Sequence, residues 1–382
     1  MNESNPLEVL EGVTVEDVSG LSKVSGLPYE CYITIPKGDV APLLKVLESL
    51  SKVTNDMYGK SVYVEADAKN IIFRYNNDPY LFECRVDNYT QKPMKGFCIS
   101  ISNFRKLFNS VNSNLILVQE GGLLNVCLGD NLIFVETFAF EAKEYDFKFA
   151  ECSESLDLAY CRGFLKDFVS LMSSSNNVAE KNVICKGGVS YFNAGAVMGK
   201  ARSFFGDHSI VVSKVVLDAI VHLSEGCKSG MFLHLEGSEM TLEFSKFARL
   251  RCPVITDEAV FQQFMSPLFL QSFESRSSVL ISNEALVQLL TVVNVMDFYT
   301  SFVKLDFGRK ELQVTTYLRE GAPKVYSFPY FEGELEPTSL NVAIPLVMSV
   351  LSKTNLETKY STVGGNLIVE LPDVTYCVRS NS

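Results

Sequence analysis

The sequence contains few of the groups from which enzyme active sites and metal sites are built. Its only histidines are His208, His222 and His234, and none has a second histidine or a cysteine at zinc-site spacing. The ten cysteines form no C-x-x-C pair, and neither a Walker loop nor a G-x-S-x-G motif occurs. We therefore expect no catalysis, no metal and no cofactor.

Long apolar runs and leader-like features are also absent. No stretch of about 18 apolar residues occurs, so the sequence predicts no transmembrane helix and no membrane partner. The first residues lack the basic and apolar regions of a secretory signal. Cysteines without metal or disulfide spacing favour a reduced, cytoplasmic protein.

A surplus of positive charge is missing as well. The formal net charge is −11 over 382 residues, which argues against a protein that coats nucleic acid with its whole surface. It leaves open a protein whose basic residues lie on one face. The length predicts two or three domains.

The feature that does fill the chain is an internal repeat. A strand, an amphipathic helix and a pair of alternating strands recur six times. Asp39 and Ser102 are the predicted N-caps of the first two helices. The predicted helix cores are 40–50, 104–111, 164–172, 215–223, 286–293 and 344–351.

The repeats group in pairs, because 141–155 and 259–278 break the rhythm. The predicted fold class is α+β, with three domains of two strand-helix-strand-strand units each. The predicted boundaries are 1–29 for a polar tail or added strand, and 30–150, 151–265 and 266–382 for the domains.

Charge is distributed unevenly between the helices and the rest of the chain. The six predicted helices sum to +2 and the remainder to −13, although single helices range from +2 to −2. Mildly basic, polar helix faces suit sequence-independent phosphate contact. The residues predicted to face DNA are Lys45, Lys52, Arg105, Lys106, Arg162, Lys166, Lys214 and Lys353.

The doubled repeats resemble the DNA sliding clamp of the bacterial replicase β-subunit type. Segments 278–290 and 341–351 resemble the start and the last helix of that family's third domain. The resemblance implies a homodimeric ring with helices lining the hole and sheets outside. It also implies a processivity factor that encircles double-stranded DNA and tethers DNA polymerase, with a clamp loader as an optional further partner. The distance from the bacterial pattern suggests a bacteriophage member, and the resemblance implies the cytoplasm of a bacterium or of an infected bacterial host.

The resemblance also implies an apolar pocket for partner peptides. Its predicted lining is Gly195, Ala196, Val197, Met198, Phe261, Phe264, Met265 and Val378. The family usually has a basic residue and a histidine at the glycine turn, where this chain has Ala196 and Val197. Arg379 stands where the family has an apolar residue, so the pocket chemistry is expected to differ.

Ring closure requires an edge of the first domain to meet an edge of the third domain of another chain. The predicted contact residues are Phe134, Val293, Val295 and Met296. Two other functions remain open from the sequence. One is a clamp-fold protein that serves as a transcription or scaffolding factor for a viral or host polymerase, and the other is an interaction protein that forms no ring.

Overall fold

A computed structural model gives the fold of the chain. It describes residues 14–18, 21–25, 32–52, 60–111, 114–120, 123–128, 131–135, 137, 149–172, 182–227, 230–244, 248–265, 267–274, 277–296, 301–317, 321–351 and 358–380. Within them the repeat recurs six times, with three strands after each helix instead of the predicted pair.

Helices form at all six predicted cores. The helices are α1 (Lys37–Ser51), α2 (Ile101–Ser110), α3 (Leu158–Tyr160), α4 (Lys166–Met172), α5 (Lys214–Gly226), α6 (Glu258–Phe264), α7 (Pro267–Gln271), α8 (Asn283–Met296) and α9 (Ile344–Leu351). A π-helical turn, Cys161–Leu165, joins α3 to α4. Helices α6 and α7 lie in the predicted connector. No described helix is long and apolar enough to cross a membrane.

The strands follow the helices in the chain order of the repeat. In the first half they are β1 (Thr14–Val18), β2 (Leu21–Ser25), β3 (Tyr32–Pro36), β4 (Ser61–Ala66), β5 (Asn70–Asn77), β6 (Tyr80–Asp87), β7 (Met94–Ser100), β8 (Asn114–Glu120), β9 (Leu123–Leu128), β10 (Asn131–Phe134) and β11 (Glu154–Leu156). The next are β12 (Asn182–Lys186), β13 (Val189–Asn193), β14 (Val197–Arg202), β15 (Ile210–Ser213), β16 (Met231–Glu236), β17 (Glu239–Phe244) and β18 (Ala248–Pro253). The last are β19 (Val279–Leu280), β20 (Phe302–Phe307), β21 (Glu311–Thr316), β22 (Lys324–Pro329), β23 (Thr338–Ala343), β24 (Lys359–Val363), β25 (Asn366–Glu370) and β26 (Val374–Val378).

The two predicted N-caps are wrong by a few residues. Helix α1 starts after Pro36, which places Asp39 in its first turn. Helix α2 is capped by Ser100, whose Oγ accepts a hydrogen bond of 3.2 Å from the backbone N–H of Asn103. In both cases the preceding strand runs directly into the helix, so the helix begins earlier than the side-chain pattern indicates.

The chain packs as two compact units. The first comprises residues 1–162 and 215–254. It contains an eight-stranded sheet of order β11-β16-β17-β18-β6-β5-β4-β7 and a four-stranded sheet of order β10-β9-β8-β3. Strands β1 and β2 form a hairpin within the predicted tail.

The second unit comprises residues 163–214 and 255–382. Its eight-stranded sheet has the order β15-β12-β13-β14-β26-β25-β24-β19, and its four-stranded sheet has the order β22-β21-β20-β23. Each unit therefore holds one complete eight-stranded sheet and one sheet of half that width. The predicted boundaries at 150 and 265 stay a prediction.

Amphipathic helices pack on one face of the sheets. In α2, Ile101, Phe104 and Phe108 are buried, whereas Arg105 and Lys106 are exposed. The ring of Phe104 lies 5.8 Å from that of Phe73 on β5 and 4.9 Å from that of Phe108. This burial of large aromatic side chains holds α2 to its sheet and leaves its polar side exposed.

Candidate functional site

The two eight-stranded sheets are assembled in the same way. In the first, β18 pairs antiparallel with β6, and in the second β14 pairs antiparallel with β26. Each of these strands is the third one after its helix. The third strand, which the sequence pattern did not predict for every repeat, therefore joins repeat to repeat.

The sheet face away from the helices differs sharply between the two units. In the first unit a row of charges crosses the junction, because Arg74 of β5, Glu83 of β6, Arg249 of β18 and Glu243 of β17 are successive cross-strand partners. We call these four residues the ionic row.

Glu83 is the centre of the ionic row. Its side chain is only 8% exposed, and its carboxylate accepts hydrogen bonds from Arg74 Nε at 2.8 Å and from Arg85 Nη2 at 2.7 Å. Burial alone would raise the pKa of Glu83, but the hydrogen bonds and charges of Arg74 and Arg85 outweigh burial and hold the pKa below its ordinary range. The row is thus a satisfied structural network.

In the second unit the same face is apolar. Two rows of cross-strand partners form an apolar stripe there. One row is Val211, Ile184 and Tyr191, and the other is Met198, Cys377 and Ile368. We call these six residues the apolar stripe. All six are buried, whereas Phe168 of α4 packs on the other face of the sheet against Phe192 and Tyr376.

The connector covers the apolar stripe. We use this name for residues 257–274, of which residue 266 is not described. Phe261 packs against Ile184 and Val211, and Phe269 and Phe273 pack with Tyr191, Met198, Cys377 and Ile368. Half-buried Met265 touches both groups. The chain itself thus covers the apolar stripe, to which Met198 of the predicted pocket lining belongs.

The predicted pocket residues divide between the two faces of this sheet. Met198 and Phe261 lie at the apolar stripe, whereas Val197 and Val378 are opposite each other on the helix-covered face. Gly195 has a φ of 78° in the turn before β14. The carbonyl of Ala196 accepts the N–H of Arg379 at 2.8 Å. The side chain of Phe264 lies outside the described part of the chain.

Sequence reasoning missed Tyr191, Phe269, Phe273, Ile368 and Cys377. A usable signal was present, because Phe261, Met265, Phe269 and Phe273 recur every four residues. That spacing indicates a helical segment with one apolar side. Arg379, noted as a departure, places its Nη2 3.9 Å from the Sδ of Met198 at the rim of the stripe.

Two of the basic residues predicted to face DNA form ion pairs within the first unit. Arg105 Nε lies 3.0 Å from Glu48 Oε1, and Lys45 Nζ lies 4.0 Å from Glu225 Oε2. These exposed pairs are weak individually, yet they reduce the positive charge of the helix faces.

Arg162 has a structural contact. Its Nε donates to the carbonyl of Ser224 at 2.7 Å, and its Nη2 donates to the carbonyl of Cys227. These carbonyls lie at the end of α5, where a cation compensates the helix dipole and the unpaired acceptors.

The other predicted DNA-facing residues are placed as follows. Lys52, Lys106 and Lys166 are exposed and Lys214 is half-buried. Lys353 lies outside the described residues. Among the residues that the structure describes, no group of three or more His, Cys, Asp or Glu side chains is arranged to hold a metal ion.

The predicted ring-contact residues lie on two surfaces. Phe134, on β10, is 57% exposed, and Val295, on α8, is 67% exposed. Val293 is buried, and the side chain of Met296 lies outside the described part. The structure adds Ile133 on β10, Val325 and Tyr326 on β22, and Phe331 just after β22 as further exposed apolar residues.

No protein-family model and no curated protein matches the sequence. Solved structures do match it. A DNA polymerase III beta subunit from Eubacterium rectale has a TM-score of 0.72 at 9% identity, covering 92% of this chain and 99% of that chain. The same subunit from Thermotoga maritima has a TM-score of 0.72 at 12% identity, with coverages of 92% and 99%.

A third match is the Helicobacter pylori beta clamp bound to a DNA ligase peptide. Its TM-score is 0.70 at 12% identity, over 92% of this chain and 100% of that chain. Likeness over nearly the full length of these chains confirms the predicted architecture. The chain therefore has the three-domain fold of the DNA polymerase III beta sliding clamp.

Proposed function

We propose that this chain is a DNA sliding clamp without catalytic activity. Two copies close into a ring around double-stranded DNA, and the ring tethers DNA polymerase. The observation that carries the proposal is the incomplete pairing of β10 and β22. These are the third strands of their repeats, the position that joins repeats in both eight-stranded sheets.

The free edges explain why a second copy is needed. Among the described strands, β10 pairs only with β9, and β22 pairs only with β21. If β10 of one chain pairs antiparallel with β22 of another, two four-stranded sheets become a further eight-stranded sheet. A two-fold dimer forms this junction twice and leaves neither edge open.

Exposed apolar side chains at both edges support this pairing. Ile133 and Phe134 lie on β10, Val325 and Tyr326 lie on β22, and Phe331 is 69% exposed beside it. Apolar side chains in such a number on edge strands mark an interface, since charged residues usually protect solvent-facing edges.

Weak DNA contact fits a ring that holds DNA by encircling it. Arg105 and Lys45 are paired with carboxylates, and Arg162 binds the end of α5. Exposed Lys52 and Lys106 supply sequence-independent phosphate contact, which weakens as salt is raised. A ring would nevertheless remain on closed circular DNA, because its retention does not depend on affinity.

Partner peptides of the polymerase and of other clamp-binding proteins are proposed to bind at the apolar stripe. The relative from Helicobacter pylori binds a DNA ligase peptide, and here the stripe supplies the apolar surface such a peptide needs. Ala196, Val197 and Arg379 make the rim of this surface different from the family pattern. A clamp loader would open the proposed ring.

A reducing cytoplasm is the proposed setting. Cys84, Cys185, Cys252 and Cys377 form no disulfide and are buried in the sheets. Burial raises the pKa of Cys185 to about 11 and that of Cys377 to about 12. Such thiols act as small core side chains and need no oxidising compartment.

Mass in solution and retention on DNA test the proposal together. We expect the chain to sediment as a dimer, and the purified ring to remain on nicked circular DNA at high salt and slide off after linearisation. The double variant Phe134→Asp with Met296→Asp should be monomeric and be lost from circles. Phe302→Asp, an exposed change on inner strand β20, is the matched control.

A wild-type chain that stays monomeric at micromolar concentration would overturn the proposal. Equal retention on circular and linear DNA would also overturn it, since a ring must distinguish the two. An unchanged sedimentation profile of the Phe134→Asp, Met296→Asp variant would show that the interface lies elsewhere.

A further inference from the structure

We propose that helix α7 and Phe273 are a built-in occupant of the partner-peptide surface, and that a partner binds by displacing them. The proposal rests on the proposed function for the existence of partner peptides. Its direct observation is that the connector buries the apolar stripe of the second unit, whereas the matching face of the first unit carries the ionic row.

The first half of the connector is anchored by several kinds of contact. Asp257 caps α6 by accepting the N–H of Ala259 at 2.8 Å. Glu258 pairs with Lys186 of β12, whose Nζ lies 5.7 Å from the ring centroid of Phe261. Phe261 is 1% exposed. Just before α6, Ile255 forms a two-bond bridge with Val211 of β15.

The second half is held by aromatic packing. Phe269 and Phe273 meet the ring of Tyr191 edge to face, with centroid distances of 6.0 and 6.2 Å, and lie 5.5 Å from each other. Helix α7 has only five residues, and a helix of that length is unstable unless tertiary packing holds it.

The difference between the halves defines where the connector opens. Met265 contacts both aromatic groups and ends α6. Its backbone N–H donates a hydrogen bond of 2.8 Å to the carbonyl of Phe261. A break after Met265 would free α7 while α6 stays on the sheet. Opening would uncover Tyr191, Met198, Ile368 and Cys377 without disturbing a strand pair.

The uncovered surface specifies the partner. It is apolar, spans the β14–β26 junction, and now accepts two aromatic side chains four residues apart. The matching ligand is a short peptide that presents two aromatic or large aliphatic side chains at that spacing. Because a partner must compete with α7, its apparent affinity is reduced by the fraction of chains in which α7 is open.

Labelling of Cys377 by a thiol reagent tests the opening in the full chain. Cys377 lies under Phe269, whereas Cys84 and Cys252 are equally buried within the first unit. Rates measured by mass spectrometry are normalised to the urea-unfolded chain. We expect Cys377 to react at least about tenfold faster than Cys84 and Cys252, because local opening is more frequent than global unfolding.

Variants assign the opening to α7. Phe269→Ala with Phe273→Ala should raise the Cys377 rate by a further tenfold or more, on the order expected when two aromatic contacts are lost. Gln271→Ala is the matched control, because Gln271 is exposed on the same helix. If the double variant does not fold, the Cys377 labelling rate is measured in Phe273→Ala alone.

A peptide of residues 265–274 then tests the surface. Added at 1 mM, roughly the effective concentration of a tethered segment, it should slow Cys377 labelling in the double variant. Equal rates for Cys377 and Cys252 in wild type and variant, or no protection by the peptide, would overturn the proposal. These rates do not depend on ring closure or DNA. Failure of the ring proposal would be seen in the sedimentation and DNA-retention experiments instead.

Discussion

Replacement of Glu83 by glutamine removes the central charge of the ionic row and keeps the shape of the side chain. Arg74, 24% exposed, keeps Glu65 as a partner at 2.5 Å. Arg85 is about half exposed, so the loss of its ion pair with Glu83 contributes little to the change in stability. Loss of one member of a fully buried pair costs about 3–5 kcal/mol. With Glu65 remaining, we expect a loss of about 2–3 kcal/mol in the free energy of unfolding at pH 7.

The effect should depend on pH with a defined sign. The pKa of Glu83 is lowered in the folded chain, so its stabilisation is complete above the pKa of an unfolded glutamate, about 4.3. It is lost as the pH falls through the lower pKa of the folded state. The difference between wild type and Glu83→Gln should therefore shrink as the pH falls below about 4.3.

Urea unfolding followed by far-UV circular dichroism measures this difference, at one protein concentration and several pH values. Glu236→Gln is the control, because that side chain is 87% exposed on β16 of the same sheet, and we expect it to change stability by less than about 0.5 kcal/mol. A Glu83→Gln midpoint equal to that of wild type at pH 7 would refute the reasoning. A difference that grows in acid would refute it as well.

Two further substitutions test local geometry. Gly333→Ala should destabilise the second unit by about 2–4 kcal/mol in urea unfolding, because Gly333 has a φ of +86° and an added Cβ would lie 2.1 Å from the carbonyl oxygen of Ser278. A midpoint shift below about 0.5 kcal/mol would contradict that. Arg162→Ala should accelerate amide hydrogen exchange at the end of α5, at a cost of about 1–2 kcal/mol, because the carbonyls of Ser224 and Cys227 lose their donor. Unchanged exchange there would show that solvent replaces the guanidinium fully.

Periodicity in the sequence predicted the repeats well, for a physical reason. Each helix has one buried stripe, so residues such as Phe104 and Phe108 recur at helical spacing. Strands such as β16 and β20 alternate between buried and less buried residues, because one face of the sheet packs on helices. The six repeats and the connector near residues 259–278 could therefore be predicted from the sequence alone.

The pairing of strands that lie far apart in the sequence could not be predicted in this way. Glu83 and Arg249 are separated by more than 160 residues, and only the register of β6 with β18 makes them neighbours. The same holds for Met198 and Cys377 at the second junction. Arg162 looked like a solvent-facing cation because the end of α5, which it binds, lies more than 60 residues further along the chain.

Open strand edges also have a consequence for the newly made chain. Before β10 and β22 pair across two chains as proposed, each has a single strand partner among the described strands and lies beside exposed apolar side chains such as Phe134 and Val325. Such edges template aggregation. Formation of the proposed dimer would then protect solubility as well as close the ring, and a monomeric variant with aspartate at Phe134 should stay soluble because the new charge blocks edge-to-edge association.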